Sequence, residues 1–164
     1  MAYTLIPFPV EQAALVAAWA TSADEADRWC SRPEHPFPAE VVAGWSGQPD
    51  VSAYLLLAGD QPVGYGEVWS DDEEDEAELA RLIVAPAARG RGAGRALTAA
   101  LVAHAGFEDI FLRVRPDNAV AIACYRGAGF VDVAPELQDG WNAPQPYPFT
   151  WLRYASGPAC PQTT

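Results

Sequence analysis

Apolar and polar positions change period several times along the 164-residue chain, and each change marks an element. Tyr3–Pro7 is a short apolar run that predicts a strand. Over Val10–Ala20, the residues Val10, Ala14, Ala17 and Ala18 fall at helical spacing. Ser22, followed by Asp24 and Glu25, has the pattern of an N-cap with an acidic first turn and predicts a second helix. Three prolines interrupt Arg32–Pro38, and a short helix over Ala39–Trp45 follows. Val51–Ala58 and Pro62–Trp69 flank Gly59-Asp60 and predict a hairpin. The six acids Asp71–Glu76 cannot enter a core and predict a solvated loop before a strand over Glu78–Val84, stopped by Pro86. The segment Arg89–Gly94 opens a helix that runs to about Ala105, with Leu97, Leu101 and His104 at i, i+4 and i+7. Ile110–Val114 is a strand, Asn118 caps a helix over Ala119–Gly127, and Phe130–Val133 is a strand. Pro135–Pro148 predicts a proline-rich loop, and Phe149–Tyr154 a last strand.

The resulting order, β-α-α-β-β-β-α-β-α-β-β, implies an α/β layer structure on a mixed sheet. Half of the residues are hydrophobic, enough for a core within one domain over residues 1–156, with 157–164 a flexible tail. Cys30, Cys124 and Cys160 form no metal or disulfide pattern. No signal peptide and no membrane-spanning run is visible, so a soluble, reduced, cytoplasmic protein is expected, with its oligomeric state, a homodimer included, left open.

Charge narrows the chemistry. The formal net charge is −12, which disfavours nucleic acid and anionic membranes as partners. All ten basic residues are Arg, so neither a Schiff-base Lys nor a phosphate-loop Lys is available. The balance is uneven along the chain. Residues 81–126 hold seven Arg against three acids, a net +4, and the remainder carries −16. One anionic ligand is therefore compatible with the basic segment, and the acidic remainder suits a cationic one.

The basic segment contains Leu82-Ile-Val-Ala-Pro-Ala-Ala-Arg-Gly-Arg-Gly-Ala-Gly-Arg95, in which a strand ends and glycines open a helix. Backbone N–H groups at a helix start lack partners, and glycines let a phosphate approach them closely. With Arg89, Arg91 and Arg95 alongside, the segment is a candidate diphosphate cradle. A Walker loop is excluded by the missing Lys. A dinucleotide fingerprint is excluded because Arg95 stands where its third Gly would fall, and because Glu108 and Asp109 lie at the wrong end of the next strand.

The pattern Val84-x-Pro86-x-x-Arg89-Gly90-x-Gly92-x-Gly94 resembles the acetyl-CoA-binding motif of the GNAT N-acetyltransferase superfamily. Asn118, Ala121, Tyr125 and Gly129-Phe130 resemble its second element. The resemblance covers about residues 3–154 and implies a mixed, mostly antiparallel sheet flanked by helices. It implies that backbone N–H groups of Arg89, Gly90, Arg91, Gly92, Ala93, Gly94 and Arg95 hold the CoA pyrophosphate. It further implies that Leu82, Ile83 and Val84 pair with the pantetheine arm, and that Asn118, itself a natural helix cap, contacts the cofactor. The Val84 N–H would donate to the thioester carbonyl.

The implied reaction is direct transfer from acetyl-CoA, as co-substrate and without a metal, to a primary amine of a small molecule or peptide N-terminus. Tyr125 matches the family's general acid. Glu78 is the first choice of base: it lies six residues before Val84 on the same strand, an even separation that puts both side chains on one face, and the resemblance implies a base at this point of the strand, as in some members of the family. Glu67, a charge inside the apolar run Val63–Trp69, is the second, and a water chain is a third. Tyr65, Glu67 and Trp69 share a face and suggest a wall for the amine. The Asp71–Glu76 run is a solvated turn or a lip that recruits cations, and Trp29, Trp45 and Trp141 pack the core or line an amine pocket. Cys124 has no ordered His partner and reads as a packed thiol. Two other functions fit the same motifs: a non-catalytic acyl-CoA-binding module, and an acetylase of protein or ribosomal-protein N-termini.

Overall fold

A computed structural model describes residues 2–155; the expected tail at 157–164 and Cys160 lie outside the described residues. Seven strands, β1 (Tyr3–Pro7), β2 (Val51–Ala58), β3 (Gln61–Asp71), β4 (Glu76–Val84), β5 (Asp109–Val114), β6 (Phe130–Asp132) and β7 (Thr150–Tyr154), form one sheet. Their order is β1-β2-β3-β4-β5-β7-β6, and only the β4–β5 pair is parallel. Six helices accompany them: α1 (Ala13–Ala17), α2 (Ala23–Cys30), α3 (Ala39–Trp45), α4 (Ala93–Ala105), α5 (Ala119–Gly127) and α6 (Pro135–Asn142).

Alternation along the strands divides the buried side chains between two layers. Leu56, Val68 and Leu79 face α4 and α5, while their neighbours Leu55 and Tyr65 face the layer built by α1, α2 and α3. On α4 the inward positions are Ala93, Leu97, Thr98, Leu101 and Ala105. His104, expected on that stripe, is instead exposed and tilts against the Tyr54 ring, because the i+4 position after Leu101 is Ala105.

The segment Pro135–Pro148 is corrected by the structure: its first half is α6, not loop. Pro135 sits at the first helical position, where its missing N–H is no loss. Gln138 and Asn142, one helical turn apart, bind the next strand. Gln138 Oε1 accepts from Trp151 N at 3.0 Å, and Asn142 Oδ1 accepts from Trp151 Nε1 at 2.9 Å.

Two irregularities shape the sheet centre. β4 and β5 pair only at Glu76–Asp109, Ala77–Ile110 and Glu78–Phe111, so beyond Glu78 the two strands part. In the same stretch β4 carries a bulge. Tyr65 pairs with Ile83 and Glu67 with Ala80, so three steps on β4 face two on β3. Arg81 lies in this bulge at φ 54°, a left-handed conformation that costs a non-glycine residue about 1–3 kcal/mol.

The extra residue shifts the alternation by one. Before it, Glu78 is opposite Trp69; after it, Val84 is opposite Gly64 and packs in the α4 layer. The expectation that Glu78 and Val84 share a face is therefore wrong: the bulge puts their side chains on opposite faces.

Candidate active site

The glycine loop leaves β4 through a single turn at Pro86–Ala88 and enters α4 with Gly92 as N-cap. Gly90 and Gly92 have φ of 74° and 90°, conformations open to glycine at little cost. The first bond of α4 runs from Ala96 N to Gly92 O. Among the described residues, none accepts from the backbone N–H groups of residues 90–95. Those of Ala93, Gly94 and Arg95 are the unpaired donors of the α4 start, backed by its dipole, and those of Gly90, Arg91 and Gly92 lead into it. A Cβ at Gly94 would approach Cys124 Sγ to 3.1 Å, closer than ordinary contact, so the thiol would have to give way.

Arg89 departs from expectation. Its own N–H donates to Pro86 O, so the open run begins at Gly90. Its guanidinium is consumed internally: Nε donates to Val84 O at 3.0 Å, Nη1 to Glu25 at 2.8 Å and Nη2 to Trp19 O at 2.9 Å. It anchors the loop to β4 and α2 and is not available to a phosphate. Arg91 and Arg95 are exposed, and Arg95 lies over Gly127 of α5.

The edge of β4 beside this loop is open. Ala85 N donates to Val63 O, a bond that makes Gly64–Val84 a non-hydrogen-bonded pair. The Val84 N–H and carbonyl therefore turn away from β3, into the gap left where β5 parts from β4. Ile83, one step earlier, directs its backbone to Tyr65 of β3 instead, and its side chain fills the α1–α3 layer.

α5 closes the other side of the gap. Asn118 caps it, Oδ1 accepting from Ala121 N at 3.4 Å. Tyr125 packs against the α4 layer, its ring centre 6.5 Å from that of Phe130 in an edge-on arrangement. Burial, with Cys124 adding to it, pushes the phenol pKa well above its ordinary value. No described residue hydrogen-bonds its hydroxyl, which leaves the proton available. Burial also raises the Cys124 thiol, against the pull of Thr98 and Arg95.

The carboxylates occupy distinct environments. Glu67 is fully buried; Oε1 accepts from Trp69 Nε1 at 2.8 Å and Arg81 Nη1 at 3.0 Å, and Oε2 accepts from the Tyr65 hydroxyl. Tyr65 is likewise sealed, under Phe8, Trp29 and Trp45. Neither can be a wall for a ligand, because α1–α3 cover them; of that trio only Trp69 reaches an opening. Glu78 pairs with Arg113 through two bonds, Nε to Oε2 at 2.7 Å and Nη2 to Oε1 at 3.3 Å. Burial raises its pKa, and Arg113 opposes the rise.

Glu78 opens onto a groove of about 410 Å³ lined by Trp69, Asp71, Glu76, Phe111, Trp141 and Trp151. Asp71 and Glu76, the ends of the acidic run, stand at its rim. Burial and then the neighbouring acids Asp71, Glu74, Asp109 and Glu78 raise the Glu76 pKa. Sequence reasoning missed Arg113, Phe111 and Trp151, which no local motif marks; only the topology brings β5 beside β4 and β7 beside β5. Trp141 was one of three indoles proposed for packing or a pocket, and it alone of those lines this groove.

The acetyltransferase (GNAT) family profile matches residues 16–130. The chain belongs to the GNAT acetyltransferase family. Over 131 residues this GNAT chain is 35% identical to the mycothiol acetyltransferase of Clavibacter michiganensis subsp. michiganensis, covering 71% of the chain and 43% of that protein. It is 41% identical over 83 residues to the mycothiol acetyltransferase of Streptomyces avermitilis, covering 51% of the chain and 27% of that protein. The chain thus spans less than half the length of these curated relatives. Its fold matches AAC(6')-Ib in complex with ribostamycin and coenzyme A, with TM-score 0.72, 22% identity and coverage of 94% and 93% of the two chains. It also matches spermidine N-acetyltransferase from Vibrio cholerae in complex with CoA and spermine, with TM-score 0.68, 18% identity and coverage of 80% and 82%. Among the described residues of the GNAT chain, no helix is long and apolar enough to cross a membrane.

Proposed function

We propose that this GNAT chain transfers an acetyl group from acetyl-CoA directly to a primary amine that carries positive charge. The observation that carries the reading is the run of six unaccepted N–H groups at residues 90–95, beside a β4 edge that β5 leaves open. A diphosphate fits the first and an extended amide-bearing arm fits the second. Asn118 would stand beside that arm at the start of α5.

Acetyl-CoA, when bound, supplies the activated acetyl thioester. The Val84 N–H would donate to its carbonyl oxygen, where negative charge develops as the amine attacks. The Tyr125 hydroxyl would hand its proton to the departing sulfur. Glu78 would take the proton of the amine on the opposite face. Six steps of strand separate Glu78 from Val84, at most about 20 Å, so that proton would cross a chain of bridging waters. Arg113 holds the Glu78 carboxylate in place for this task.

A cationic acceptor is supported by Asp71, Glu76 and Glu78 around the groove and by indole faces that attract cations. Ribostamycin and spermine, in the fold neighbours, are polycations. The acidic surface disfavours nucleic acid and anionic membranes. The free thiols Cys30 and Cys124 suit a reducing compartment such as the cytoplasm. The test is a panel of aminoglycosides, polyamines, amino sugars and peptide N-termini, followed by release of free CoA thiol. At least one small cationic amine should give saturable release. A protein that binds CoA and acetylates nothing in the panel is the non-catalytic module instead.

A further inference from the structure

Glu67 calls for a different role from that of a base. A carboxylate with no solvent exposure persists only when paired and hydrogen-bonded, and Glu67 has three donors on its two oxygens. A base must reach the amine, and no atom of this carboxylate faces an opening. Its partner is the informative residue. Arg81 occupies the β4 bulge in a left-handed conformation, and its guanidinium lies 4.2 Å from the Trp45 ring centre and 4.9 Å from that of Trp69. The Arg81 carbonyl accepts from Trp29 Nε1 at 2.8 Å. The side chain of the bulge residue is thus tied to buried Glu67 and its backbone to half-buried Trp29. The bulge in turn sets the phase of Leu82, Ile83 and Val84 and hence which N–H faces the gap.

We infer that Glu67 is a positioning residue: through Arg81 it fixes the bulge that presents Leu82–Val84 to the pantetheine arm, and through Trp69 it fixes a wall of the acceptor groove. The assignment rests on the acetyl-CoA reading above. One carboxylate oxygen serves both, since Oε1 accepts from Arg81 and from Trp69, so the two sides of the reaction share a single anchor.

The test compares two ligands by calorimetry: CoA, and 3′-phosphoadenosine 5′-diphosphate, the half of CoA without pantetheine. Glu67→Gln and Arg81→Lys should each weaken CoA binding about tenfold, the value of one well-made hydrogen bond, and leave the nucleotide half within about twofold. With an amine that the panel identifies, Glu67→Gln should keep the acidic limb of the pH–rate profile. Unchanged CoA affinity in both variants overturns the assignment. So does an equal loss for both ligands, which marks general loosening, and so does loss of the acidic limb, which makes Glu67 the base. Where Glu67→Gln does not fold, Arg81→Lys, which keeps the charge and loses the fork, decides alone. Wild-type protein that binds neither ligand removes the acetyl-CoA reading itself.

Discussion

At the scale of residues, the proposed acid and base sit on opposite faces of the sheet, Tyr125 against the α4 layer and Glu78 in the groove beside Trp69. A phenol whose pKa is raised by burial stays protonated across the working pH range, as a donor must. Tyr125→Phe should lower kcat by about 100-fold or more, the usual contribution of a positioned acid, with CoA affinity intact by calorimetry. Glu78 acts when ionised, and its pKa is raised, so kcat/KM should fall with decreasing pH at a higher pH than for an ordinary carboxylate. Glu78→Gln should remove that limb from the pH–rate profile. Tyr125 and Glu78 were legible as residue types at motif positions. Arg113 was not, because it stands 35 positions from Glu78 and meets it only across the β4–β5 pair.

At the scale of elements, α2 bridges the two parting strands. Glu25 binds Arg89 beside β4, Trp29 binds the Arg81 carbonyl in β4, and Asp27 binds Arg115 just beyond β5, at 3.0 Å. Glu25, which reads as a helix-start signal, therefore also ties α2 to the glycine loop, while Asp27 ties it to the end of β5. The cap itself is observed, with Ser22 Oγ accepting from Glu25 N at 3.1 Å. Ser22→Ala should destabilise the protein by about 1 kcal/mol and lower the melting temperature by about 2–4 °C in a thermal scan. Caps and periodicity are local, which is why Tyr3–Pro7, Ala39–Trp45, Val51–Ala58 and Ala119–Gly127 were placed as the structure has them. α6 is masked in the sequence by its own polar residues and by the prolines that follow it up to Pro148, and its contacts, Gln138 and Asn142 to Trp151, lie in the following strand.

At the scale of the molecule, the net −12 conceals a basic segment over residues 81–126 facing an acidic remainder. Contact-range fields and backbone donors let an acidic protein hold a polyphosphate. Saturating CoA should therefore stabilise the fold. At about 100 times Kd the gain is about 2.7 kcal/mol, or about 5–10 °C in melting temperature, and the absence of a shift would refute CoA binding. What could be known from the chain alone was whatever a few neighbouring residues encode: the strands and most of the helices, the caps and the glycine loop, whose ligand groups are backbone N–H and so follow from conformation. The site's side chains obey a different rule. A single bulge at Arg81 inverts which residues share a face, and burial under α1–α3 turns Tyr65 and Glu67 from a wall into an anchor. Those outcomes depend on packing between segments far apart in sequence, and only the assembled sheet decides them.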